Sequence, residues 1–156
     1  QRNDKSSLLI WKIISLKKYI GMARKGFFEI EPAPGKPEGI SVRIEPGADG
    51  DVWMTVNDIV KAYGVFYQTV RAGLKALKKS GDFDEYRDVK IERFTYKGKT
   101  CSIELYNLRI VIALGFKMNG LTCQRFRKWV ASRLAESYQR KPSALFLYMG
   151  KDTFIS

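Results

Sequence analysis

Tyr67, Gln68, Arg71, Lys75, Lys78 and Lys79 gather hydrogen-bond donors and positive charge within one short segment of this sequence. At 100° per residue on a helix, the first five fall within roughly a third of the circumference, with Lys79 beside them. That arc holds no acid. Arg71 and Gln68, near its N-terminal end, suit bidentate hydrogen bonds to guanine and adenine edges. Lys75, Lys78 and Lys79 suit the neutralisation of phosphates. Lys97 and Lys99 form a second pair of cations around Gly98.

The whole chain leans the same way. Its 156 residues carry 28 Lys+Arg against 16 Asp+Glu, a formal charge of +12 and a pI near 9.8. Such an excess attracts polyanions over a Debye length of about 8 Å. Nucleic acid is the first partner to consider and an anionic membrane surface the second.

Other chemistries are poorly supplied. The chain has no histidine, which excludes an imidazole base, a Ser-His triad and imidazole zinc sites. Cys101 and Cys123 are not in a CxxC arrangement, and two buried reduced thiols in a reducing cytoplasm are expected,. Asp82, Asp84, Glu85 and Asp88 could in principle hold magnesium. Without a phosphate-binding loop or a basic catalytic residue beside them, they read as a solvated acidic turn. No enzyme activity, metal or cofactor is expected.

The basic arc needs a helix to carry it, and "IVKAYGVFYQTVRAGL", residues 59–74, supplies one. Thr55 can cap a helix whose stripe is Val56, Ile59, Val60 and Tyr63; Gly64 makes the turn. Val70, Leu74 and Leu77 then line a second helix, with Gly73 marking a close approach. This is helix-turn-helix spacing. Val60 stands where a small residue is usual, and Phe66 where a serine cap is usual. Phe66 is expected as a core anchor and Tyr67 as the first exposed residue of the second helix.

Downstream, "DVKIERFTY" and "TCSIELY" alternate as two strands around "KGK", predicting a hairpin with Gly98 at its tip,. A hairpin directly after a helix-turn-helix is the wing of a winged helix, and Lys97 and Lys99 sit where a wing meets phosphate. Upstream, "ISVRIEP" reads as a half-buried strand, and "DGDVWMT" as a turn and a short second strand.

Asn107 is expected to cap a short helix buried by Leu108, Val111, Ile112 and Leu114 and ended by Gly115. Thr122 is the expected cap of a longer helix. Its apolar stripe is Phe126, Trp129, Val130 and Leu134, with Arg125, Lys128, Ser132 and Glu136 largely opposite,.

Tyr106, Asn107, Leu108, Ile112, Gly115 and Phe116, followed by Phe126, Arg127 and Trp129 and preceded by Val52, Trp53, Met54 and Thr55, resemble the RhuM-like virulence-associated proteins of bacteria. The resemblance spans roughly residues 40–138. It implies a bacterial or mobile-element protein with a DNA-binding N-terminal domain. Many members continue into a further C-terminal region that this sequence does not contain, so no activity residing there is carried over. The family's virulence label describes genetic surroundings more than mechanism.

The ends differ from that pattern. Residues 1–21 carry Leu9, Ile10, Ile13, Leu16 and Ile20 at helical spacing, predicting an amphipathic extension too short and too charged to span a bilayer,. Met22 would itself serve as a translation start. Residues 22–39 hold three of the five prolines and are expected as a Pro/Gly-rich connector,. Residues 40–138 form the working domain and 139–156 a tail.

The expected fold is therefore α+β: a winged helix-turn-helix-like domain with a small β-hairpin, followed by two packed helices. The expected function is sequence-preferring binding of double-stranded DNA in the bacterial cytoplasm. The second helix would lie in the major groove and the tip on phosphate, with Lys61, Arg125 and Lys128 adding backbone contacts. A homodimer reading paired half-sites is expected, with no stable membrane insertion. The rival expectation is a protein-interaction or toxin-like module docking through residues 5–20 and Leu145, Phe146, Leu147 and Tyr148.

Overall fold

Apolar residues on alternate positions form the first sheet of the computed structural model, which describes residues 24–139 together with Leu8, Leu9 and Lys12. β1 (Phe27–Pro32) and β2 (Ile40–Glu45) pair antiparallel, with Phe28 opposite Ile44, Ile30 opposite Val42 and Pro32 opposite Ile40. One face is therefore apolar along its length. Phe28, 5% exposed, enters the core. This corrects the connector expected at 22–39: Pro34 and Pro37 lie in the bend, while Phe27, Phe28 and Ile30 build a strand that average composition concealed. The remainder of the 1–21 extension and the apolar tail from Leu145 to Tyr148 lie outside the described residues.

The expected short strand forms as β3 (Trp53–Met54) but does not pair with β2. It pairs with β5 (Lys99–Asn107), which also pairs with β4 (Val89–Tyr96), giving an antiparallel sheet of order β3-β5-β4. Ile44 was already matched by Phe28, leaving β2 a partner in β1. Between β3 and β4 run α1 (Val56–Tyr63), α2 (Tyr67–Ser80) and the single turn α3 (Glu85–Asp88). After β5 come α4 (Leu108–Lys117) and α5 (Leu121–Gln139). The described residues are thus α+β, with five helices and two small antiparallel sheets.

Local chemistry fixes the helix ends. Thr55 accepts from the Asp58 N–H at 3.1 Å, and the Asp58 carboxylate accepts from the Thr55 N–H at 3.0 Å, a reciprocal capping box,. Gly64 closes α1 in the left-handed region at φ +60°,. Asn107 Oδ1 accepts from the Ile110 N–H at the start of α4, as expected.

Gly115 does not end α4, which runs to Lys117. A Cβ at Gly115 would stand 2.6 Å from both Phe126 Cδ1 and Tyr63 Oη, so this glycine lets α5 and α1 approach α4. Arg127 closes α4 instead, donating to the carbonyls of Gly115 and Met118 at 2.9 and 3.0 Å. Thr122 likewise falls inside α5 rather than capping it. The chain turns into that helix at Gly120, whose φ of +152° favours glycine,.

The core joins both sheets to the helices. Ile59 and Tyr63 of α1, Val70, Leu74 and Leu77 of α2, Ile110, Val111 and Leu114 of α4, and Cys123 and Phe126 of α5 are all buried. Phe28, Tyr63 and Phe126 make a ring triad with centroids 5.5 to 5.9 Å apart, each pair adding about 0.5–1.5 kcal/mol beyond the area it buries,. Tyr63 donates its hydroxyl to the Val111 carbonyl at 2.8 Å. The expected stripe of α5 holds at Phe126, Trp129 and Val130, but Leu134 is exposed, because residues 131–139 leave the packed body. Cys101 and Cys123 are free thiols; Cys123 is buried and Cys101 only half-buried.

Candidate nucleic-acid interface

Val70, Leu74 and Leu77 turn one side of α2 inward, which fixes where its polar residues point,. Gln68, Lys75 and Lys79 face directly away from that core. Tyr67, Arg71 and Lys78 form a second row on the flank toward β5. All six predicted residues are exposed, Tyr67 by 48%. The first turn of α2 contains no acid and its last turn carries Lys78 and Lys79.

The flank row is less open than its sequence implied. Lys78 Nζ lies 2.7 Å from Glu85 Oε1 and 4.9 Å from the centre of the Phe83 ring. Burial, and donation to the Glu104 carboxylate at 2.6 Å, push the Tyr106 phenol above its usual range; Arg71 opposes the shift, so this row and β5 feel one another. Between them lies a cleft of about 300 Å³ bordered by Lys78, Phe83, Glu85, Ile91, Glu104 and Tyr106. The acid-free face of the isolated helix thus acquires Glu85 and Glu104 along one edge from elements later in the chain.

Lys97 and Lys99 occupy the far end of the hairpin. Lys97 and Gly98 both have positive φ, +48° and +74°, the two-residue turn that matches strand twist,. Eight residues of β4 carry this tip roughly 23 Å beyond the sheet's junction with the helices,. Residues 91–100 are all exposed, so the two lysines meet solvent rather than the body.

Phe66 overturns its expectation as a core anchor. It is 85% exposed at the N-cap of α2, with no side-chain cap bond. Val65 fills the inward position instead and packs toward Gly120 of the α4–α5 turn, which leaves the next side chain pointing out.

The acidic segment is not simply a solvated turn. Asp88 is completely buried and accepts from Asn107 Nδ2 at 3.0 Å, the Asp84 N–H at 2.8 Å and the Arg109 and Arg87 guanidinium groups. Asp84 accepts from the Tyr86 and Arg87 N–H groups and caps α3. Among the described residues, no cluster of three or more His, Cys, Asp or Glu side chains is arranged to hold a metal ion.

Of the supplementary cations, Lys61 lies on the exposed side of α1. Arg125 and Lys128 border another cleft of about 830 Å³, between the 33–41 bend and α5, together with Lys36, Trp129 and Arg133. Lys36 fell in the expected connector, and only the pairing of β1 with β2 brings it to α5. Among the described residues, no helix is long and apolar enough to cross a membrane.

No family model matches this chain, and no curated protein or solved structure matches it. The residues that carry the RhuM-like resemblance have structural positions: Tyr106 and Phe126 are core, Asn107 and Arg127 cap α4, and Gly115 admits a close helix contact.

Proposed function

We propose that this chain binds double-stranded DNA as a winged-helix-like module of the RhuM-like kind, from a bacterial or mobile-element setting. The observation that carries the reading is a juxtaposition. The basic helix α2, which exposes Gln68, Arg71, Lys75 and Lys79, shares a cleft with the β4–β5 hairpin, bordered by Lys78 on the helix and by Ile91, Glu104 and Tyr106 on the strands, and that hairpin is tipped by Lys97 and Lys99. The strand order β3-β5-β4, with the helix pair inserted between β3 and β4, supports a wing alongside a recognition helix,.

In this reading α2 enters the major groove. Arg71 and Gln68 meet base edges, while Lys75 and Lys79 meet phosphate, with a smaller share from Lys78 because Glu85 competes for it,. The hairpin tip lies on the backbone. Tyr67 contributes its half-exposed ring and hydroxyl near Arg71. A salt-titrated binding assay on duplex DNA of random sequence, followed by selection of the tightest binders, tests this. A logarithmic affinity that falls linearly with logarithmic salt is expected, at about 0.9 per neutralised phosphate. A slope near zero removes DNA as the partner.

A further inference from the structure

Phe66, at the N-cap of α2, is a residue that folding does not explain. An N-cap is ordinarily filled by Ser, Thr, Asp or Asn, whose side chain accepts a free N–H of the first turn. Phe66 offers no such bond and holds an extended backbone, φ −78° and ψ 153°, with its ring 85% exposed. Tyr86 is more exposed still, but its hydroxyl can be hydrated, whereas a phenyl ring has no polar handle,. Both the missing cap and the bare ring weigh against stability.

Gln68 and Arg71 follow within the next turn and a half, and that turn carries no acid. The ring is thus an exposed apolar group at the N-terminal end of the helix that carries the basic face. Base edges in the major groove offer one apolar group, the 5-methyl of thymine. We infer that Phe66 contacts a thymine methyl group, so that the DNA preferred by this chain carries thymine beneath the N-terminus of α2. This rests on the DNA reading above.

The test uses the full chain and the tightest duplex from selection, with each thymine replaced in turn by deoxyuridine, which differs only by the methyl group. At one or two positions the replacement should weaken binding about fourfold, the effect of burying one methyl. Phe66→Ser should abolish that sensitivity while keeping the Arg71-dependent preference. Because serine can cap α2, the variant's unfolding midpoint should stay level or rise. Binding that depends on Arg71 but ignores every deoxyuridine overturns the inference and leaves the DNA reading standing. Absence of any salt-dependent binding overturns both. A Phe66→Ser change in sedimentation of the free protein, without loss of methyl sensitivity, assigns the ring to a second copy and likewise overturns it.

Discussion

Asp88 and Arg109 form an ion pair across the joint between the β4–β5 hairpin and the helical body, with the carboxylate fully buried and the guanidinium half exposed. Asn107 joins the same carboxylate while its own oxygen caps α4, so the hairpin, α3 and α4 share one polar centre. Arg109→Met leaves a buried charge with fewer partners, whereas Asp88→Asn removes the charge itself. The first should therefore destabilise more, by about 3 kcal/mol, the lower end for a broken buried pair. Urea unfolding of both variants checks the order; equal losses would mean that the Asp84 N–H, Asn107 and Arg87 suffice to hold the buried charge without Arg109.

The same centre sets an acid dependence. Burial alone would raise the Asp88 pKa, but the bonds from Arg109, the Asp84 N–H, Asn107 and Arg87 outweigh it and hold the carboxyl well below its usual range. A depressed native pKa means that the unfolded chain binds the proton first. The contribution is complete above the ordinary aspartate value of about 3.9 and is lost as pH falls toward the native value. The stability gap between wild type and Asp88→Asn should therefore be constant near neutrality and shrink below about pH 4. A gap unchanged down to acid unfolding would contradict it.

Gly115 tests packing against propensity. Alanine at a helix-interior glycine ordinarily stabilises by about 1 kcal/mol. Here the new Cβ would meet the Phe126 ring and the Tyr63 hydroxyl at 2.6 Å, and Tyr63 is held by its bond to Val111. Overpacking of this kind costs about 1–3 kcal/mol. Gly115→Ala should therefore lower the thermal midpoint; a rise would mean that α5 can shift outward freely.

Helix periodicity and turn chemistry made much of this fold legible: the caps at Thr55 and Asn107, the turn at Gly64 and the tip at Gly98 follow from local residue types. What was hidden depends on distant partners. Phe28 lay in a stretch read from its three prolines as a connector, and only its packing against Tyr63 and Phe126 shows it to be core. Gly115 could be a terminator or a contact, and the neighbours decide. The cations of α2 were legible because they share one helix. Glu85 and Glu104, which border them, come from a later turn and a later strand, so helix spacing could not reveal them.

Arg71 and Lys75 should separate two kinds of DNA contact. Arg71→Ala is expected to reduce discrimination among sites by about 1–3 kcal/mol, whereas Lys75→Ala should weaken all duplexes nearly alike. Affinities across a randomised library measure both. If wild type and Arg71→Ala rank every sequence equally, α2 does not read bases.

If this chain binds DNA as proposed, Glu85 holds Lys78 away from full service as a phosphate contact. The pair is exposed on both sides, with Nζ and Oε1 2.7 Å apart, so its own stabilisation is small,. Replacing Glu85 with Gln removes one negative charge beside α2 and frees the lysine. Affinity for every duplex should rise at low salt, and the logarithmic salt slope should steepen by about 0.9, one further neutralised phosphate. Lys78→Ala should weaken binding only slightly in wild type but cancel the whole gain in Glu85→Gln. An unchanged slope in Glu85→Gln would place Lys78 outside the DNA footprint and confine that footprint to the row Gln68, Lys75 and Lys79 with Arg71 at its edge.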